Sequence, residues 1–270
     1  MTTITRMGTG PTVGVMPNDA ALTVTDLVVR FGGVTALAGV SFTVRRGQVC
    51  GLIGPNGAGK TTLFDCVSRL TRPRSGRMEL AGRDVLALPA HRVAELGVAR
   101  TFQHLGLVPS LSVRENVMLG AQAGAGTGFL SAALRLPGVR SRERAQRERA
   151  DAVLDRLGLA GIAARPAAGL PYGTLKRIEL ARALAAAPDL LMLDEPASGL
   201  SHEEVDELAE VIEDVRADMT ILLVEHHMGM VMRLSDTVVV LDFGRVVATG
   251  SPAEVREDPA VLAAYLGTPA

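Results

Sequence analysis

The sequence predicts an α/β fold: a mainly parallel sheet with helices on both faces. Two observations carry that expectation. Short, almost wholly apolar runs at Val49–Ile53, Leu190–Leu193, Thr220–Val224 and Thr237–Leu241 have the length and composition of buried strands. Between them lie stretches of helical periodicity, among them Lys60–Leu70 and His202–Arg216, and such alternation marks strand–helix–strand units. A third feature, alternating apolar and polar residues over Leu22–Arg30 and again in Val40–Val44, predicts a strand-rich opening.

Each element follows in order. Residues 1–20 are rich in Thr, Gly and Pro and predict a flexible tail. Gly47 punctuates the chain before the strand Val49–Ile53, which runs into a glycine-rich turn. In Lys60–Leu70 the residues Leu63, Phe64, Val67 and Leu70 share one helical face. Strand signals return around Arg77–Leu80 and Val98–Phe102. Ser112 with Glu115 forms a capping box that opens a helix. The uncharged run Asn116–Leu134 matches the roughly 20 residues of a membrane span on count alone. Four glycines together with Gln122, Thr127 and Ser131 make it a helix end followed by a loop, so no span is expected in this chain. Ser141–Leu157 reads as a charge-laced helix with a solvated face, Glu143 and Arg147 standing at i,i+4 spacing. A loop containing Gly158, Gly161, Pro166, Gly169 and Pro171 precedes a helix over Leu175–Ala186. No internal repeat is visible.

The bulk numbers set limits. A chain of 270 residues holds one large domain, or one domain with a smaller lobe. Its 47% apolar content supplies a core and excludes global disorder. A net charge of −1 and the absence of Trp argue against a nucleic-acid partner. Cys50 and Cys66 lie in apolar segments without metal-ligand spacing and read as core residues of a reducing compartment. The first twenty residues lack the continuous apolar stretch of an export signal.

Chemistry concentrates in two places. Gly54-Pro55-Asn56-Gly57-Ala58-Gly59-Lys60-Thr61, followed by Thr62, matches the phosphate-binding pattern G-x-x-x-x-G-K-[ST], with an apolar strand before it and a helix after it. The glycines let several backbone N–H groups converge on one centre, to which the helix adds its positive end. Lys60 brings a point charge to the outer phosphates, and the Thr61 hydroxyl is placed to ligate Mg²⁺. In Leu190-Leu-Met-Leu-Asp194-Glu195, four apolar residues bury a strand and two acids emerge at its end. They divide into a metal ligand, Asp194, and a general base for an attacking water, Glu195.

With these motifs in place, the chain from about residue 22 to the C-terminus resembles the ABC ATPases. That resemblance implies a P-loop nucleotide-binding core (residues 21–270) with an antiparallel β region near the N-terminus and an inserted α-helical subdomain at about 105–182. It implies that Phe31 stacks on adenine and that Gln103, in Ala99-Arg-Thr-Phe-Gln103, contacts Mg²⁺ and water and reports to a membrane subunit. Leu170-Pro-Tyr172-Gly173-Thr-Leu-Lys-Arg177 falls where the family's signature stands, making Tyr172 and Gly173 nucleotide contacts. Ala197-Ser-Gly-Leu200 matches the loop after the catalytic glutamate, and His226 matches the switch histidine. His91, His104 and His202 fit no metal pattern and receive no role.

Arg100-Thr-Phe-Gln-His104, the stretch from Gly120 to Arg149, Val224-Glu-His226 and Asp258-Pro-Ala-Val-Leu-Ala-Ala-Tyr265-Leu-Gly267 are most similar to the branched-chain amino-acid uptake group. Lipopolysaccharide exporters share the terminal Tyr-Leu-Gly, and amide or urea transporters share nearly all of it. The sequence departs from the pattern at Pro171, where the family has Ser and which offers neither hydroxyl nor N–H. Ser201 and His227 stand where Asp is common. The resemblance implies a peripheral subunit on the cytoplasmic face of the inner membrane. It would be bound to permease chains and paired with a second ATPase subunit, itself or a paralogue, and served by an external solute-binding protein. The alternatives are a soluble ABC-type ATPase acting on nucleic acid or ribosomes, an ATPase of a lipid exporter, and a regulatory subunit that binds ATP without hydrolysing it.

Overall fold

The computed structural model describes residues 19–102, 105–121 and 139–266. Two long strands, β1 (Ala20–Phe31) and β2 (Val34–Arg45), form a hairpin; β3 (Val49–Ile53) then leads into α1 (Lys60–Val67). Next come β4 (Ser75–Leu80), β5 (Arg83–Asp84) and β6 (Val98–Arg100). The helices α2 (Val113–Ala121), α3 (Val139–Arg156) and α4 (Tyr172–Ala185) follow, then β7 (Leu190–Asp194), α5 (His202–Val215), β8 (Thr220–Val224), α6 (Met228–Leu234), β9 (Thr237–Asp242) and β10 (Arg245–Gly250). Two short helices, α7 (Pro252–Glu257) and α8 (Pro259–Leu266), complete the described chain.

The strands make two sheets. An antiparallel one runs β2-β1-β4-β5; the other runs β10-β9-β3-β8-β7-β6, parallel from β9 to β6 with antiparallel β10 at its edge. Because side chains alternate across a strand, β8 divides its residues between two cores. Leu222 and Val224 face a core shared with β1, β2 and α1, while Ile221 and Leu223 face one shared with α2 to α5. Burial on both faces explains why the sequence of these strands is continuously apolar rather than alternating. Cys50 of β3 and Cys66 of α1 are buried in the core shared with β1 and β2, which pushes each thiol up to about 12. Among the described residues no helix is long and apolar enough to cross a membrane.

Several boundaries differ from the sequence expectation. The first helix stops at Val67, and Leu70 is exposed rather than on the buried face. Arg69 takes a left-handed φ of 59°, and the Leu70 and Thr71 amides turn back to the Asp65 carbonyl, a helix-terminating arrangement. The strand expected to reach Phe102 ends at Arg100, and the Phe102 amide instead donates to Glu179 Oε1 at 3.3 Å. Helix α4 begins at Tyr172, not Leu175, with extended Pro171 as its N-cap. The charged helix α3 ends at Arg156, and its i,i+4 pair is Arg144–Glu148 at 2.8 Å. Residues 1–18 of the tail, Gln103, His104 and most of the Gly120–Leu134 segment lie outside the described residues, while Ala20 already belongs to β1.

Candidate functional site

The loop between β3 and α1 curls because its glycines adopt left-handed φ values of 149° (Gly54), 82° (Gly57) and 104° (Gly59). A Cβ at Gly54 would strike the Leu241 carbonyl, and one at Gly59 would lie 2.7 Å from the Ala36 carbonyl. Only glycine suits both positions. Lys60 Nζ donates to the Gly54 and Pro55 carbonyls at 2.6 and 3.0 Å, so its charge is held over the loop mouth. Burial pushes the Lys60 ammonium below its ordinary range, and the negative charge of Glu195 opposes that shift. The loop is braced from outside. Gly244 N–H donates to the Ala58 carbonyl at 3.0 Å, and burial raises the phenol of Tyr265, on α8, against a backbone hydrogen bond from Gly54.

A cavity of about 350 Å³ opens above this loop. Asn56 to Thr62 form its floor, Glu195 one wall, and Val34, Thr35, Ala36 and Phe243 its mouth. The structure thus gathers most of the expected phosphate-loop residues and the expected base at one place. Phe31 is 54% exposed at the end of β1 and pairs with Val34 across the hairpin, next to the cavity wall rather than in it.

Asp194 ends β7 inside the protein, with only 7% of its side chain exposed. Arg100, at the end of β6, donates from Nη2 to Asp194 Oδ2 at 2.7 Å and from Nη1 to Asp65 Oδ1 at 2.8 Å and Ser68 Oγ at 3.2 Å. Its guanidinium carbon lies 5.4 Å from the Phe64 ring centroid and 5.1 Å from that of Phe102, within cation–π range. The sequence assigns no role to Arg100, because nothing adjacent in the chain marks its partners. Its partners lie on two other elements.

Glu195 turns out of the strand with a left-handed φ of 48°, fixed by its amide donating to the Val224 carbonyl at 2.9 Å. For a non-glycine residue this conformation is costly and typical of functional turns. Just past the neighbouring strand lies Glu225, fully buried, which accepts from the amides of Ala197 (2.8 Å), His226 (2.7 Å) and His227 (3.0 Å). This carboxylate, also missed from sequence, ties the loop after Glu195 to the segment that presents His226. The His226 side chain is mostly exposed; its Nδ1 stands 3.5 Å from Glu225 Oε2 and its ring centroid 4.5 Å from that of His227.

Tyr172 and Gly173 occupy the first turn of α4, apart from the cavity. Gly173 is buried against Glu204, where a Cβ would come within 2.5 Å of the carboxylate, and Tyr172 lies over Gly199. Ser201, where Asp is common, serves here as N-cap of α5, accepting from Glu204 N–H while Glu204 bonds back to the Ser201 amide. Gln103 lies outside the described residues.

Strand, glycine cradle, helix and paired acids define a nucleotide-hydrolysing domain. The family model for the ABC transporter matches residues 37–198, and that of the branched-chain amino acid ATP-binding cassette transporter matches residues 245–270. The high-affinity branched-chain amino acid transport ATP-binding protein LivG of Salmonella typhimurium is 42% identical, covering 91% of this chain and 97% of the relative. BraF of Pseudomonas aeruginosa, which carries the same description, is 41% identical over the same shares. Among solved structures, a nucleotide-free ATP-binding cassette from an ABC transporter superposes with TM-score 0.79 at 28% identity, covering 92% of this chain and 100% of that one. The ADP conformation of MJ1267, an ATP-binding cassette of an ABC transporter, gives 0.80 at 28%, covering 92% and 99%. The chain belongs to the ABC transporter family, as an ATP-binding subunit of the branched-chain amino-acid group. It is an ATPase.

Proposed function

We propose that this ATPase powers import of branched-chain amino acids or a related small polar solute, working with Mg²⁺ and separate permease chains on the cytoplasmic face of the membrane. The observation that carries this reading is the coincidence, in one cavity, of the glycine cradle, Lys60 and Glu195, within a chain 42% identical along nearly its whole length to LivG.

In this reading the amides of residues 57 to 62 and the Lys60 ammonium bind the phosphates of ATP, and Phe31 supports the base. Thr61 and Asp194 offer the hard oxygen donors that suit Mg²⁺. A carboxylate has lone pairs on both oxygens, so the Arg100 bond through Oδ2 is compatible with a cation ligated through Oδ1. The ion supplies charge neutralisation for the phosphoryl group in flight. Glu195 takes the proton of the attacking water, its left-handed turn fixing the carboxylate at the cavity wall, and His226 holds the γ-phosphate in register with it. Catalysis is positioning and electrostatics, with no covalent intermediate. By the resemblance, Gln103 would complete the set by contacting the ion and water.

Tyr172 and Gly173 stand away from this chain's own cavity, which supports a pairing in which each signature serves the ATP of a second ATPase subunit. We read residues 105–182 as a helical lobe. An apolar groove of about 590 Å³ between Leu70, Val93, Phe102, Leu119 and Ala186 is suited to a docking permease segment. The external solute-binding protein then meets the permease, not this chain. The test is affinity purification of the tagged chain from native membranes: hydrophobic permease chains should accompany it. Recovery with ribosomes or DNA would favour the soluble alternative.

A further inference from the structure

Phe243 is the most exposed large apolar side chain among the described residues, with 84% of its surface open, and it sits at the mouth of the nucleotide cavity. A phenylalanine so placed has lost most of the benefit of burial. Its backbone is unfavourable as well: φ is 41°, in the left-handed region that bulky residues avoid. Neither cost is relieved by packing of its own side chain.

The turn that carries Phe243 is nonetheless fixed. Gly244 N–H donates to the Ala58 carbonyl at 3.0 Å, and the Ala38 amide donates to the Gly244 carbonyl at 2.8 Å. One bond references the turn to the phosphate loop, the other to the β1–β2 hairpin. Gly244 itself leaves no room for a side chain, since a Cβ there would lie 2.5 Å from the Ala36 carbonyl. The result is a Phe243 backbone held at a set position relative to the phosphate loop, with its ring open to solvent. Val34, 68% exposed, stands on the hairpin at the same mouth, and half-exposed Phe31 pairs with it.

We infer that Phe243 is a base-contacting residue: its ring forms an apolar wall for the nucleobase, beside the hairpin that carries Val34 and Phe31. A nucleotide whose phosphates lie on the loop must project its base out of the cavity mouth. The exposed apolar groups there are Phe243 and Val34. A flat aromatic base is the occupant that stacks on a phenyl ring and covers both. This inference rests on reading the cavity as the nucleotide site, and adds to it a residue from the turn between β9 and β10.

The test separates base from phosphate. Binding of Mg-ADP and of inorganic tripolyphosphate, which has no base, is measured calorimetrically for the whole chain. Phe243→Ala should weaken ADP by about 2- to 10-fold, the range of one lost aromatic contact, and leave tripolyphosphate unchanged. Phe243→Asn should do the same; asparagine accepts the left-handed backbone, so an equal loss assigns the effect to the ring. The chain has no Trp, so Phe243→Trp introduces a single indole. That variant should restore affinity, and ADP but not tripolyphosphate should shift its emission. Unchanged ADP affinity in the Ala and Asn variants, or equal weakening of ADP and tripolyphosphate, would overturn the proposal. A wild-type chain that bound neither ligand would instead remove the nucleotide reading beneath it.

Discussion

Replacing Arg100 by Ala would leave Asp194 as a carboxylate without its cation. The two side chains are 8% and 7% exposed and bonded at 2.7 Å, so the pair is largely desolvated while it stands. Removing one member of such a pair costs about 3–5 kcal/mol, most of it the penalty of stranding the other charge. Asp65 is 29% exposed, and its share should be near the ~0–1 kcal/mol of solvent-screened pairs. At about 2–4 °C per kcal/mol for a domain of this size, Arg100→Ala should melt roughly 6–20 °C below wild type in nucleotide-free buffer. Adding Asp194→Asn removes the stranded charge and should recover a large part of the loss. A single variant melting within about 2 °C of wild type, or a double variant no better than the single one, would refute the view that Arg100 clamps Asp194.

Three further outcomes follow from the site. Lys60→Ala removes the cation held over the loop mouth and should abolish ATP binding or hydrolysis; wild-type phosphate release by this variant would dismiss the site. Glu195→Gln keeps the cradle but lacks the base, so it should accumulate a dimer in Mg-ATP that is absent in ADP, seen by size exclusion, and normal turnover would exclude the general-base role. Pro171→Ser puts a capping hydroxyl at the start of α4, worth about 1 kcal/mol to the helix. If that hydroxyl reaches the γ-phosphate across the dimer, ATP-dependent dimerisation should tighten by on the order of 1.5–3 kcal/mol. A raised melting temperature with an unchanged dimer would show that it caps its own helix instead.

The cradle was legible because backbone geometry dictates it: Gly54, Gly57 and Gly59 occupy left-handed φ values, so the motif's spacing is the structure's own requirement. The buried strands were legible from their unbroken apolar runs. What stayed hidden depends on partners distant in sequence. Arg100 meets Asp194 across 94 positions and Asp65 across 35, and nothing local announces either pairing. Glu225 looks like any strand-end acid until three amides converge on it. Phe243 beside Gly244 reads as a hairpin turn, and only the fold brings that turn to the cavity. Leu70 was misplaced because helical spacing continues through Arg69 in sequence while the backbone there does not. Ser201 is a different case: Ser-x-x-Glu at 201–204 is a local capping signal that could have been read. The resemblance drew attention to the Asp it replaces.

The most direct measurement is uptake of radiolabelled leucine by the source cells after deletion of the gene, with the gene restored as wild type or as Glu195→Gln. Uptake of leucine, or of one related small polar solute, should fall to background on deletion, return with the wild type and stay lost with Glu195→Gln, while uptake of other solutes is unchanged. Uptake unaffected by the deletion, with the protein recovered on ribosomes or DNA in the soluble fraction, would contradict a role in import.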